Sequence, residues 1–233
     1  MDWSPSTRSD PPFGGCRLTD SPASAGAQRF ADIWCDPAQP LPDLLLVLAS
    51  TRTAEQPGIS AAGCTAAARR TTALADAELL LHGPSVPPLW SLPPLPAGVS
   101  PALISWVVCQ QLGLDPQIAA LGLSVPPHFP HLRFEDPRCG PGECVSSGTA
   151  MVTERVKQLL QRGRRLGQHL RRPLVLAECV PGGTTTALAV LTGLGLPVQT
   201  LVSGSAQHPP MELKQRLVSE GLSRLSCDRQ VDA

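Results

Sequence analysis

Short aliphatic runs alternate with helical stretches along this chain, and the switches fall at glycine, proline and hydroxyl residues. Residues 44–49 form an unbroken apolar run of strand length and predict a first buried strand, followed by a polar loop over 50–60. Residues 65–81 have helical character, although 78–81 fit a short strand equally well. Ser100 and Pro101 read as the N-cap and first residue of a helix that runs to Leu112 and stops at Gly113. A short strand follows at 117–121, between two proline-rich connections at 83–101 and 126–142. Ser147 or Thr149 then caps a long helix over about 150–171. Its apolar stripe (Val152, Val156, Leu159, Leu160, Leu166, Leu170) predicts a helix covering a sheet. Strand, loop and helix recur at 174–194, with a further strand at 198–202 and a helix at 211–222.

This alternation predicts an α/β fold with a mainly parallel sheet. Right-handed crossovers bring the loops after Ala49, Ala177 and Val202 to one edge, where open α/β sheets bind ligands. The loop after Ala177 carries the densest chemistry: Glu178, Cys179, Val180, Pro181, Gly182, Gly183, Thr184, Thr185 and Thr186. Two glycines permit positive φ and close approach of a ligand. The helix start then offers unpaired N–H groups and the positive end of its dipole. Threonines are poor helix formers, so three in a row need a reason. Capping by Thr184 is one, and phosphate ligation by the remaining hydroxyls and amides is the other. No lysine follows the glycines as in a P-loop, and no G-x-G-x-x-G pattern occurs, so a different phosphate site is implied.

Composition narrows the classes. The 233 residues are 42% hydrophobic, enough for a sizeable core, but only 3% aromatic with no tyrosine, so that core is aliphatic. Basic and acidic residues number 19 each, which points away from nucleic acid and anionic membrane and toward a small-molecule partner. The arginines at 155, 162, 164 and 165 read as a solvated helix face. No apolar run approaches membrane-spanning length and no secretory pattern opens the chain, so the expected location is the cytoplasm. Eight scattered cysteines read as reduced thiols rather than a disulfide scaffold. His128, His131, Cys139 and Cys144 lack paired C-x-x-C spacing, so no metal is expected. Asp76 and Glu78 are explained as a surface-to-core helix end and left out of the site. The expected organisation is a flexible N-terminal leader over 1–40, rich in Pro, Ser and Asp, an α/β domain over 41–222, and a polar tail over 223–233.

The loop at 177–195 (AECVPGGTTTALAVLTGLG) resembles that of the nicotinate-nucleotide:dimethylbenzimidazole phosphoribosyltransferase family, most closely an uncharacterised bacterial and archaeal branch. The segments at 57–63, 75–81, 95–101 and 146–151 stand in the order that branch has them, so the resemblance covers about 44 to 221. It implies a Rossmann-like three-layer sandwich with a smaller helical region, and no cofactor. The family's lysine-proline-glycine-serine-leucine-glycine motif has no match here. Its general-base glutamate lies in a C-terminal part beyond the similar segment, so the expectation is an incomplete domain with an uncovered sheet edge.

The implied reaction transfers phosphoribose from nicotinate mononucleotide to a benzimidazole-type base in assembly of the cobalamin lower ligand, releasing nicotinate. Under it, Gly182, Gly183, Thr184 and Thr185 anchor the phosphate. Glu178 holds ribose hydroxyls or favours the developing cation, with a structural carboxylate paired to helix-start amides as the alternative. Ser203 and Gly204, with Ser205, offer a second set of donors or simply a turn. The family uses no covalent cysteine, so Cys179 reads as a small buried residue. A homodimer is a compatible assembly. The competing functions are a non-catalytic nucleotide- or phosphate-binding module and an inactive fragment of the enzyme.

Overall fold

A computed structural model of the chain describes residues 40–93, 100–204 and 206–231, with side chains as far as Leu225. The expected leader, apart from its last residue, and Ser205 lie outside the described residues. Four strands form one parallel sheet: β1 (Asp43–Ala49), β2 (Pro116–Leu121), β3 (Leu132–Arg133) and β4 (Leu174–Cys179), in the order β3-β2-β1-β4. β1 is central because it is the most continuously aliphatic segment. It pairs along Leu44–Ala49 with β2 and along Asp43–Leu48 with β4. The α/β class and parallel sheet expected from the alternation are observed.

Among the described residues, five helices accompany the sheet: α1 (Ala66–His82), α2 (Pro101–Leu112), α3 (Thr153–His169), α4 (Gly183–Gly193) and α5 (Met211–Val231). Side chains alternate along β1, so Leu46 and Leu48 share one face. Ala73, Leu74, Ala77 and Leu80 of α1 pack on that face together with Ile118, and Ala177 and Cys179 lie alongside. The ambiguous 78–81 stretch is therefore helix, closed onto the core by Leu80. Glu78 is buried there and accepts the Leu89 N–H at 2.8 Å while facing His128 Nε2 at 3.0 Å, which ties the helix end to the connection beyond it. α2 follows its punctuation. Ser100 Oγ accepts the Ala102 N–H at 3.2 Å, Pro101 opens the helix, and Gly113 closes it at φ 66°.

Four expectations fail. Residues 198–202 form turns, not a strand. Pro197 has no N–H, and Val198 and Leu201 spend theirs on the carbonyls of Leu196 and Val198, so no ladder forms. Hence β4 pairs only with β1, and its outer edge is uncovered among the described residues. The long helix starts at Thr153 behind Val152, with no side-chain cap, because Ser147 is taken into a short 3₁₀ turn at Val145–Ser147 and Thr149 bonds back to it. Its apolar stripe covers no sheet: Leu160 is 62% exposed, and no residue of α3 is buried. What holds α3 is Arg155, which forks onto both oxygens of Glu135 at 2.7 Å. Finally, α5 continues past Leu222 to Val231, through much of the expected polar tail.

Candidate functional site

The chain leaves β4 at Cys179 and turns through Pro181 and Gly182 into α4. Gly182 stands at φ 72°, and a Cβ there would lie 3.2 Å from Ala54 Cα. Only glycine combines that backbone with such close approach of the loop after β1. Gly182 is thus the N-cap, and Thr184, expected as the cap, sits inside the first turn. This frees its hydroxyl. Thr184 Oγ1 accepts from Lys214 Nζ at 2.8 Å, and no protein acceptor among the described residues takes its N–H. Thr185 turns inward instead: it is fully buried, its N–H bonds the Gly182 carbonyl, and its hydroxyl has no protein partner.

A cavity of about 380 Å³ lies along Leu44 and Leu46 of β1 and at the C-terminal end of β4, bounded by the two loops that follow these strands, by α1 and α2, and by Gly204, Ala206 and Pro210. Glu178, Gly182, Gly183, Thr184 and Gly204 line it, whereas Thr185 and Ser203 do not. Glu178 is exposed. Its Oε1 would lie 3.6 Å from a Cβ on Gly183, and no hydrogen bond pairs it with the helix-start amides among the described residues. Ser203 contributes its carbonyl, an acceptor for Lys214, rather than a donor.

Lys214 was missed by the sequence reading. It lies on α5 at 1% exposure, and its Nζ donates to Thr184 Oγ1 and the Ser203 carbonyl and stands 3.1 Å from where a Gly204 Cβ would be. No carboxylate among the described residues pairs with it, and burial pushes its pKa below the ordinary lysine value. A signal was available: Lys214, Leu217, Val218 and Gly221 occupy the i, i+3, i+4, i+7 positions of one buried helix stripe, and a lysine in that register invites a functional question.

Asp76, set aside in the sequence reading, also lines the cavity. Its carboxylate accepts from Ser100 Oγ at 2.8 Å and from Cys179 Sγ at 3.4 Å, and burial raises its pKa. The Cys179 thiol is pushed well up, first by burial and then by Asp76, so it stays protonated and acts as a donor rather than a nucleophile. The four residues weighed for a metal go separate ways. His128 faces Glu78, His131 bonds the Phe129 carbonyl, and Cys139 is exposed while Cys144 is half-buried. No cluster of three or more His, Cys, Asp or Glu suited to a metal occurs among the described residues.

No protein-family model matches the chain. It is 60% identical over 211 residues to a UPF0284 protein of Parasynechococcus marenigrum (strain WH8102), covering 90% of this chain and 53% of that one. A UPF0284 protein of Prochlorococcus marinus (strain MIT 9313) is 61% identical over 218 residues, 92% of this chain and 54% of the relative. One from Cyanothece sp. (strain PCC 7425) is 46% identical over 189 residues, 79% and 50% respectively. The chain spans about half the length of the curated relatives it matches. Among solved structures, nicotinate-nucleotide-dimethylbenzimidazole phosphoribosyltransferase from Thermus thermophilus superposes with a TM-score of 0.53 at 17% identity, covering 80% of this chain and 50% of that one. At that identity the likeness is one of fold. Over the part it spans, this chain therefore shares its sequence with UPF0284 proteins and its fold with nicotinate-nucleotide-dimethylbenzimidazole phosphoribosyltransferase.

Proposed function

We propose that the cavity binds a phosphorylated riboside, with nicotinate mononucleotide the leading candidate, and that the protein transfers its phosphoribose to a benzimidazole-type base for the cobalamin lower ligand. The observation that carries this reading is a buried, carboxylate-free Lys214 standing behind a glycine turn with Thr184. An ammonium has three N–H groups, and two are engaged by protein oxygens. The third, together with the Thr184 amide and the dipole of α4, suits a phosphate dianion. Burial makes an uncompensated cation costly, and a bound phosphate supplies the missing counter-charge.

In the reaction, the bond between the anomeric carbon and the nicotinate nitrogen breaks, and its electron pair neutralises the pyridinium ring. A new bond forms to the acceptor's bare ring nitrogen, and the acceptor's N–H proton passes to a base. Glu178, beside the glycine turn, is suited to stabilise positive charge at the anomeric carbon. Gly182 and Gly183 allow the ribose phosphate close approach, and Thr185 supports the turn from within. No helix of the described residues is long and apolar enough to cross a membrane, and the reaction's small polar substrates suit a cytoplasmic setting.

Calorimetric titration of the folded chain with nicotinate mononucleotide tests the reading, with Lys214→Met in parallel. Binding that weakens about 30-fold in the variant supports it, the scale of one charge-assisted hydrogen bond. A folded parent that does not bind overturns it. Release of nicotinate on adding a benzimidazole then separates transfer from binding alone.

A further inference from the structure

The phosphate-binding cluster makes no use of the Asp76 carboxyl, which also lines the cavity. Leu46, Leu80, Pro101, Ala102 and Ala177 line the same space, with Thr72 and Ser105, whose hydroxyl protons go to backbone carbonyls. The hydroxyl of Ser100 accepts the Ala102 N–H, so its own proton is free to go to Asp76 Oδ1. The other oxygen receives only the weak donor of Cys179. No lysine, arginine or histidine lies within ion-pair reach of Asp76 among the described residues. A carboxylate offers about four acceptor positions, so roughly two remain unused beside the cavity.

An unsatisfied acceptor among apolar walls is costly unless a ligand brings a donor. A donor carried on an apolar body suits a space lined by Leu46, Leu80, Pro101 and Ala102, and the N–H of a heteroaromatic ring is such a donor. We propose that Asp76 accepts a hydrogen bond from the ring N–H of the acceptor base and so selects bases that carry one. Ser100 and Cys179 orient the carboxyl from opposite sides, which fixes where that N–H must point. The inference rests on reading the cavity as a site for a phosphoribosyl donor and a base. It adds the specificity of the base to that reading.

Benzimidazole and benzoxazole test it, because they have nearly the same shape and differ by an N–H replaced with a ring oxygen. Each is titrated into the folded full chain in mildly alkaline buffer, alone and with ribose 5-phosphate present. A preference for benzimidazole of about tenfold or more supports the proposal, the scale expected for a buried acceptor left unpaired. In Asp76→Asn, the Ser100 hydroxyl keeps the amide oxygen on its own side and turns the NH₂ group toward the ring. Loss of the preference in that variant supports the proposal, and a preference that survives overturns it. Should the variant fail to fold, equal binding of the two bases by the parent is sufficient to overturn it. If ribose 5-phosphate binds and benzimidazole does not, the Asp76 proposal falls while the phosphate site stands. If neither binds, the reading of the cavity falls and takes this proposal with it.

Discussion

The loop after β1 and the loop after β4 each rest on a buried cation, and the two cations are spent differently. Arg69, 5% exposed on α1, donates to the Ala54 and Gly63 carbonyls and more loosely to those of Glu55 and Gln56, at 3.5 and 3.4 Å. Its planar fork is matched to backbone carbonyls, of which Gln56's also accepts the Ile59 N–H. Lys214, 1% exposed, makes two hydrogen bonds and stands behind Thr184 and Gly204, which line the cavity while Lys214 itself does not. A guanidinium suits a staple for several carbonyls, whereas a point charge with a spare donor suits an anion. Burial alone does not tell a structural cation from a ligand-binding one. The partners do: backbone carbonyls around Arg69, and beside Lys214 the hydroxyl of Thr184, which lines the cavity.

Arg69→Met is the harshest way to break this comparison. It takes a donor from the carbonyls of Ala54, Glu55, Gln56 and Gly63, of which Gln56's keeps the Ile59 N–H, and is expected to cost about 3 to 5 kcal/mol of stability, measured by urea denaturation. A variant that keeps its stability and loses nucleotide binding would place Arg69 in the ligand site instead. Lys214→Met should do the reverse. Methionine fills the volume without a buried charge, so stability is expected within about 1 kcal/mol of the parent while nucleotide affinity falls by about 2 kcal/mol. Calorimetry and denaturation on the same preparation separate the two effects.

The sequence reveals Gly182 and Gly183 because a turn between an apolar strand and an apolar helix has a local cause. The same holds for α2, whose ends are written in Ser100, Pro101 and Gly113. Where local cause ends, legibility ends. Residues 198–202 are as apolar as a strand, but pairing depends on which backbone groups are free, and theirs are used locally. The stripe on α3 announces an amphipathic helix and says nothing of what it meets. Asp76 and Cys179 stand 103 positions apart, so their contact exists only once β4 has paired with β1 and α1 has packed across both. Lys214 is legible only as an anomaly: it shares the stripe of Leu217, Val218 and Gly221, away from Glu212, Arg216 and Glu220, and the Thr184 and Ser203 it meets there come from distant parts of the sequence.

Gly182→Ala sharpens the comparison at the loop itself. Alanine at φ 72° costs about 1 to 2 kcal/mol, and the added methyl would also stand 3.2 Å from Ala54 Cα and push the two loops apart. Gly113→Ala is the control, because φ 66° imposes a similar backbone cost with nothing within 4 Å. The excess destabilisation at Gly182, and any loss of nucleotide affinity there alone, measures how far the loop contact shapes the site. Equal effects at the two glycines would remove Ala54 from the argument.

The smallest expected effect is in the pH dependence, and it separates the two cations without disturbing a contact. Burial lowers the pKa of Lys214 in the folded chain, so on raising pH the native lysine releases its proton while the unfolded chain still holds its own. Between those two values the unfolded state binds more protons, and stability contributed by this group rises with pH. The stability of the parent relative to Lys214→Met should therefore climb across the window below the ordinary lysine pKa, by at most about 1.4 kcal/mol per pH unit. Phosphate affinity should move the opposite way over the same window, because the ammonium loses the charge that attracts the ligand. Parallel changes in stability and affinity would mean that the lysine charge supports the fold, as Arg69 does, and that the anion is held elsewhere.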